Sequence, residues 1–150
     1  VMKTLRVKGS KIFDINSTTL KNHYLTFKKI DISDADYIFL PNVYDNNVDT
    51  IALLKHFKQM LEEKEFKDDL KIIMYEPDYP LCAIDYFANI SSIIETKKKM
   101  LKIYYPEDKF SSLAEKIVGI NAFRSIQLGY DYCEAFMCFS VDEFNKIPLI

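Results

Sequence analysis

With 150 residues and a formal net charge of −2, the chain is long enough to bury a core without staples, and it lacks the concentrated basic face that nucleic acid or an anionic membrane surface would require. Its three cysteines, Cys82, Cys133 and Cys138, are odd in number and form no C-x-x-C, which fits buried, reduced thiols in an intracellular, cytoplasmic protein. No apolar run approaches the ~18 residues of a membrane span, and no charged-then-apolar leader precedes a cleavage site.

In chain order, "TLRVKGSKIFDI" reads as one or two short strands around Gly9-Ser10. "NSTTLKNHYLTFKKI" stays open: Ser17 or Thr18 can cap a short helix at Leu20–Tyr24, while "HYLTFKKI" alternates like a strand. "DYIFLPN" is a continuous apolar run between polar flanks, the pattern of a strand covered on both faces. "NNVDTIALLKHFKQMLEEKEF" has helical spacing at Ile51, Leu54, Phe57 and Leu61, with Asn47 as cap and Asp49 in the first turn. "KIIMYE" is the next buried strand. Pro77 and Pro80 break the chain, and "PLCAIDYFANISSIIETKKK" is expected to be a second helix, its Lys97, Lys98 and Lys99 at the C-terminus as a solvated face. "MLKIYY" is expected to be a strand, "DKFSSLAEKIVGINAFRSIQLG" a third helix stopped by Gly129, and "EAFMCFS" a strand. "SVDEF" carries a capping box, Ser140 with Glu143, that opens a last short helix.

This alternation predicts a single α/β domain over residues 1–150: a three-layer, Rossmann-like sheet, mainly parallel and flanked by helices. Val1 before Met2 and the abrupt apolar ending "KIPLI" are expected of a piece of a longer chain. In such folds the working edge lies where strands feed helices. This chain places acids and amides there: Asp14 after the first strand, Asn42, Asp45 and Asn46 after the second, and Glu76 and Asp78 after the third. Asp14, Asp45 and Glu76 are candidate oxygen ligands for Mg²⁺; the same residue types are also the ordinary residues of loops and helix starts. His23 and His56 lie far from the cysteines in sequence, which disfavours a Cys–His metal site, and neither is placed as the positioned histidine that Ser-His-Asp or Cys-His catalysis needs. No glycine-rich loop cradles a phosphate.

"DADYIFLPNVYDNNVDTIALLKHFK", "LKIIMYEP" and "LKIYYPEDKFSSLAEKI" resemble the middle, fourth strand and final strand–helix of a response-regulator receiver domain. The departures are specific. Pro41 stands where the resemblance places the phosphate-accepting aspartate, Tyr105-Pro106 stands for the expected Lys-Pro, and Tyr75 or Glu76 replaces a small hydroxyl residue. The resemblance therefore implies a receiver-like domain that is not phosphorylated in the usual way. The same opening stretch is similar to the later half of ParA/MinD-type ATPases, whose phosphate loop this chain lacks.

Two functions follow as expectations. The first is a non-catalytic regulatory or scaffolding module, without a cofactor, that contacts another protein through the loops around Asn42–Asn47 and Glu76–Tyr79 or through a helix–strand face. The second is an enzyme domain that binds a nucleotide or nucleotide-sugar, with Mg²⁺ as an option, at the acidic edge.

Overall fold

The structure, a computed structural model, describes residues 9–11, 13, 15, 17–76, 80–105 and 107–149. A 3₁₀ turn at Ser17–Asn22 leads to α1 (Tyr24–Phe27), β1 (Tyr37–Pro41), α2 (Val48–Glu63), β2 (Lys71–Tyr75) and β3 (Tyr86–Asn89). A second 3₁₀ turn, Ser91–Ile93, then opens α3 (Ile94–Tyr104), followed by α4 (Glu107–Ser125), β4 (Cys133–Ser140) and α5 (Val141–Lys146). The chain forms two compact units, Val1–Ile12 with Tyr86–Ala135, and Phe13–Asp85 with Phe136–Ile150. The strand order is β1-β2-β4-β3.

The expected mainly parallel sheet is corrected. β1 and β2 are parallel, but β4 runs antiparallel to β2, with Ile72 opposite Phe139 and Met74 opposite Met137. The physical reason lies in the side-chain pattern of β4. Cys133, Ala135 and Met137 are buried while the residues between them are only partly so. That one-sided alternation belongs to antiparallel strands, whereas a parallel strand covered on both faces needs a continuous apolar run. β1 departs from the doubly covered pattern too: Leu40 is buried, but Tyr37 and Phe39 are 63% and 59% exposed.

In the unit built on Phe13–Asp85, α2 is the organising element. Asn47 Oδ1 accepts the Asp49 N–H at 2.8 Å, which satisfies one of the first-turn donors. The helix then buries Leu54, Phe57, Met60 and Leu61 on one face. Phe57 packs against the fully buried Phe144 of α5 at 5.8 Å between ring centres. Burying a side chain of this size contributes about 1.5–3 kcal/mol. His56 is also buried; its Nε2–H donates to the Leu20 carbonyl at 2.9 Å, and Tyr24 and Phe27 flank its ring. It is a packed core histidine.

α5 is short and held at both ends. At its start the Ser140–Glu143 capping box is complete: Glu143 N–H donates to Ser140 Oγ, and Ser140 N–H donates to Glu143 Oε2. At its other end Lys58 of α2 donates to the carbonyls of Asn145 (2.9 Å) and Ile147 (2.5 Å), and lies 5.3 Å from the Phe144 ring centre. A cation on the last carbonyls of a helix is favourable both as a donor and against the helix dipole.

In the unit containing Tyr86–Ala135, the region 80–105 differs from expectation. The helix expected over 80–99 and the strand expected over 100–105 are instead β3, a 3₁₀ turn and one helix that runs through both. Asn89 Oδ1 accepts the Ser91 N–H at 3.0 Å, an Asx turn that separates strand from helix. Past it, "IETKKKMLKIY" keeps a helical period, and the aromatic and β-branched residues at its end do not outweigh it. Lys97 therefore sits in the first turn of α3 and not at a helix C-terminus; it is 22% exposed and donates to Asn121 Oδ1 of α4 at 2.7 Å and to Glu134 Oε1 of β4 at 2.5 Å. Gly129, with φ +71°, lies beyond Ser125 in the turn before β4, where a left-handed residue is needed. Of the expected core thiols, Cys133 is buried, Cys138 is half-buried and Cys82 is exposed. No helix among the described residues is long and apolar enough to cross a membrane.

Replacing Lys58 with Met keeps its apolar stem but leaves the two carbonyls without their donor. Denaturant unfolding is expected to show a loss of about 1–3 kcal/mol; an unchanged midpoint would remove Lys58 from the account. A second outcome concerns alkaline pH. Burial first, then the neighbouring Glu63 carboxylate, pushes the Tyr24 hydroxyl from its ordinary 10.0 up to about 12. The folded state thus holds this proton more tightly than the unfolded one. The resulting stability is complete below pH 10 and fades as pH climbs towards about 12. Tyr24→Phe is expected to lose less urea resistance over that window than the parent protein, and an identical decline in both would refute the assignment.

Candidate functional site

The parallel register aligns Pro41 with Tyr75, so the next residues on each strand, Asn42 and Glu76, leave the sheet at the same edge. The link from β1 to α2 is built from consecutive side-chain-to-backbone turns. Asn42 Oδ1 accepts the Tyr44 N–H at 3.0 Å, and the Asn42 carbonyl accepts the Asp45 N–H at 3.1 Å. Asp45 then accepts twice, from the Asn47 N–H on Oδ1 at 2.9 Å and from the Thr50 hydroxyl on Oδ2 at 2.8 Å. Short polar side chains favour such loops because they can replace the lost backbone ladder locally. The result is a braced strand-to-helix junction in which Asn42 is 0% and Asp45 7% exposed, while Asn46 faces solvent.

One group in this junction is left over. Asn42 Nδ2 is buried and has no hydrogen-bond partner. A buried donor without an acceptor costs about 1–3 kcal/mol, so this amide is suited to an incoming acceptor oxygen, from water or from a ligand. Across the edge, Glu76 Oε1 accepts the Leu81 N–H at 2.7 Å and fixes the chain where it returns after residues 77–79.

The structure thus brings Asn42, Asp45, Asn46 and Glu76 to one edge; Asp14 and Asp78 lie outside the described residues. Of the three expected Mg²⁺ ligands, Asp14 lies outside the described residues, and Asp45 and Glu76 already accept from the backbone. Both Asp45 oxygens are engaged by the loop and one Glu76 oxygen by Leu81. Among the described residues no three His, Cys, Asp or Glu side chains come together as a cation would need. Sequence reasoning missed Thr50, whose only signal is its place in the first turn of α2 after an acidic loop. It also missed the Lys97–Asn121–Glu134 cluster of the other unit. Nothing in "TKKKMLK" distinguishes the lysine that turns inward from its neighbours.

No protein-family model matches the chain, and no curated protein matches it in sequence. Solved structures do. The conserved protein TT1542 of Thermus thermophilus superposes with a TM-score of 0.65 at 16% identity, covering 91% of this chain and 68% of its own. The N,N'-diacetylchitobiose deacetylase of Pyrococcus horikoshii gives 0.61 at 15% identity, covering 98% of this chain and 63% of its own. The 4-carboxy-2-hydroxymuconate hydratase GalB of Pseudomonas putida KT2440 gives 0.57 at 12% identity, covering 99% and 70%. At these identities the likeness is one of fold. None of the three is a response-regulator receiver, and two are enzymes. The expected non-catalytic, receiver-like regulatory module is corrected accordingly.

The bracing of the junction is testable apart from any ligand. Asp45→Ala removes the acceptor of two hydrogen bonds and is expected to cost about 1–3 kcal/mol in urea unfolding. Thr50→Val should cost less, and in the double variant the two losses should fall short of additive, because they share one bond. Strict additivity would show that the Thr50–Asp45 contact contributes nothing.

Proposed function

We propose that this chain is a domain of an enzyme, or most of one, that takes a small polar organic substrate at the edge where β1 and β2 end. The supporting observation is that two enzymes superpose on 98% and 99% of the chain. Their names describe different reactions on substrates of one kind: a small acetylated sugar, and a small hydroxy-carboxylate. A fold shared across such chemistries argues for the mode of binding more than for the reaction. Each substrate class offers carbonyl, hydroxyl or carboxylate oxygens.

In this reading the Asn42 amide donates to a substrate oxygen, and the braced Asp45 holds the junction that presents it. Asn46, exposed beside them, and Glu76, on the neighbouring strand end, define the two sides of the site. The nucleotide-sugar expected from the sequence belongs to the same hydroxyl-rich class and remains among the probes. The chain spans under two thirds of the deacetylase, so the complete reaction is a matter for the assay.

The test is a thermal-shift series with N,N'-diacetylchitobiose, a nucleotide-sugar, a hydroxy-dicarboxylate and Mg²⁺, each alone, followed by an acetate-release assay. A ligand at 100 times its Kd should add about 2.7 kcal/mol by mass action. Asn42→Asp, which keeps the size and the Oδ1 acceptor of the Tyr44 N–H but removes the donor, should abolish the shift. No stabilisation by any organic probe, together with no turnover, would overturn the proposal.

A further inference from the structure

α3 and α4 pack side by side and leave an open groove of about 390 Å³ between them. Its floor is apolar: Leu101 of α3 and Ala114 and Val118 of α4, all half-buried and therefore reachable. The α3 rim is mainly cationic: three lysines stand there beside Glu95, whose carboxyl they hold below its ordinary range, Lys98 most strongly. Lys102 stands four residues after Lys98 and three after Lys99, so each of the two is its neighbour on the surface of α3. Lys98 is already satisfied, held by Glu95 at 2.7 Å and resting 5.7 Å from the Tyr132 ring centre. Lys99 and Lys102 make no hydrogen bond or ion pair among the described residues, and both are exposed. The opposite rim carries Glu115.

We propose that this groove binds a single-chain amphiphile with one carboxylate, such as a medium-chain fatty acid. The two unpaired ammonium groups, Lys99 and Lys102, would take the headgroup, and the Leu101–Ala114–Val118 floor would take the chain. Charge and shape select this occupant together. Among the described lining residues the exposed cations stand on the α3 rim, so the headgroup lies against α3. Glu115 on the far rim repels a second negative charge, which favours a monocarboxylate over a dicarboxylate. The volume sits near the lower end of ligand pockets, suited to one chain rather than two. The lysine stems extend the apolar lining beneath the charges. The groove lies wholly within the unit containing Tyr86–Ala135, and the inference is independent of the enzyme reading.

The experiment titrates the intact chain with laurate, 1-dodecanol and acetate, below the aggregation limit of each amphiphile, by calorimetry and thermal shift. Laurate is expected to bind and raise the melting temperature, dodecanol to bind about tenfold more weakly, and acetate not at all. The exposed pair Lys99→Gln/Lys102→Gln should leave folding unchanged and weaken laurate about tenfold, while Ala114→Phe should fill the groove and abolish binding. The lysine pair decides the matter should the groove-filling variant not fold. Equal affinity for laurate and dodecanol, unchanged affinity in the lysine pair, or association only with phosphatidylglycerol vesicles would each overturn the proposal.

Discussion

Five aligned pairs between β1 and β2, from Tyr37 with Lys71 to Pro41 with Tyr75, decide which loops of this protein can act together. Because the two strands run the same way, the segments leaving them share an edge. Because a parallel pair needs a crossover, a full helix must stand between them. α2 is that crossover, and its buried face supplies Leu54, Phe57, Met60 and Leu61 to the core. The braced junction at Asn42–Thr50 therefore joins the first strand of the parallel pair to its crossover helix. Its hydrogen bonds serve both ends, since the residue that caps the helix also closes the last turn of the loop.

How much of this could be read from the residues depended on how local the governing physics was. The strand at Tyr37–Pro41, the helix capped by Asn47, the strand at Lys71–Tyr75 and the Ser140–Glu143 box were all legible, because propensity, capping and hydrophobic period agree over short distances. The direction of β4 was not. Direction is a property of the partner, and "EAFMCFS" contains both an apolar run and an alternation; only burial shows that the alternation governs. Residues 80–105 misled for a related reason. An apolar helical period runs through Ile94 and Leu101, while "KIYY" by composition favours a strand, and packing decided between them.

The candidate site shows the same division. Asn42, Asp45, Asn46 and Glu76 were identifiable because acids and amides gather at strand ends for reasons of turn geometry. That reason also limits what their presence implies, since most of their oxygens turn out to be spent on holding the loop. The informative feature is the one the sequence could not display: among the described residues, the buried Asn42 amide donor has no acceptor. In the other unit, Lys97 makes the converse point. Its neighbours Lys98 and Lys99 have the same chemistry, yet only Lys97 meets Asn121 and Glu134 and so joins two helices to a strand.

The reach of Lys58 to the end of α5 has a consequence for the order in which the chain assembles. Its two acceptors lie 87 and 89 residues further along the sequence. Bringing such distant segments together carries a loop-closure cost that local helix formation does not. At 6 residues, α5 is too short to persist alone in water. It gains its lifetime from docking on a helix formed much earlier in the chain. The last helix is thus expected to condense late, and the exchange of its amide protons should report on whether α2 is intact rather than on α5 itself.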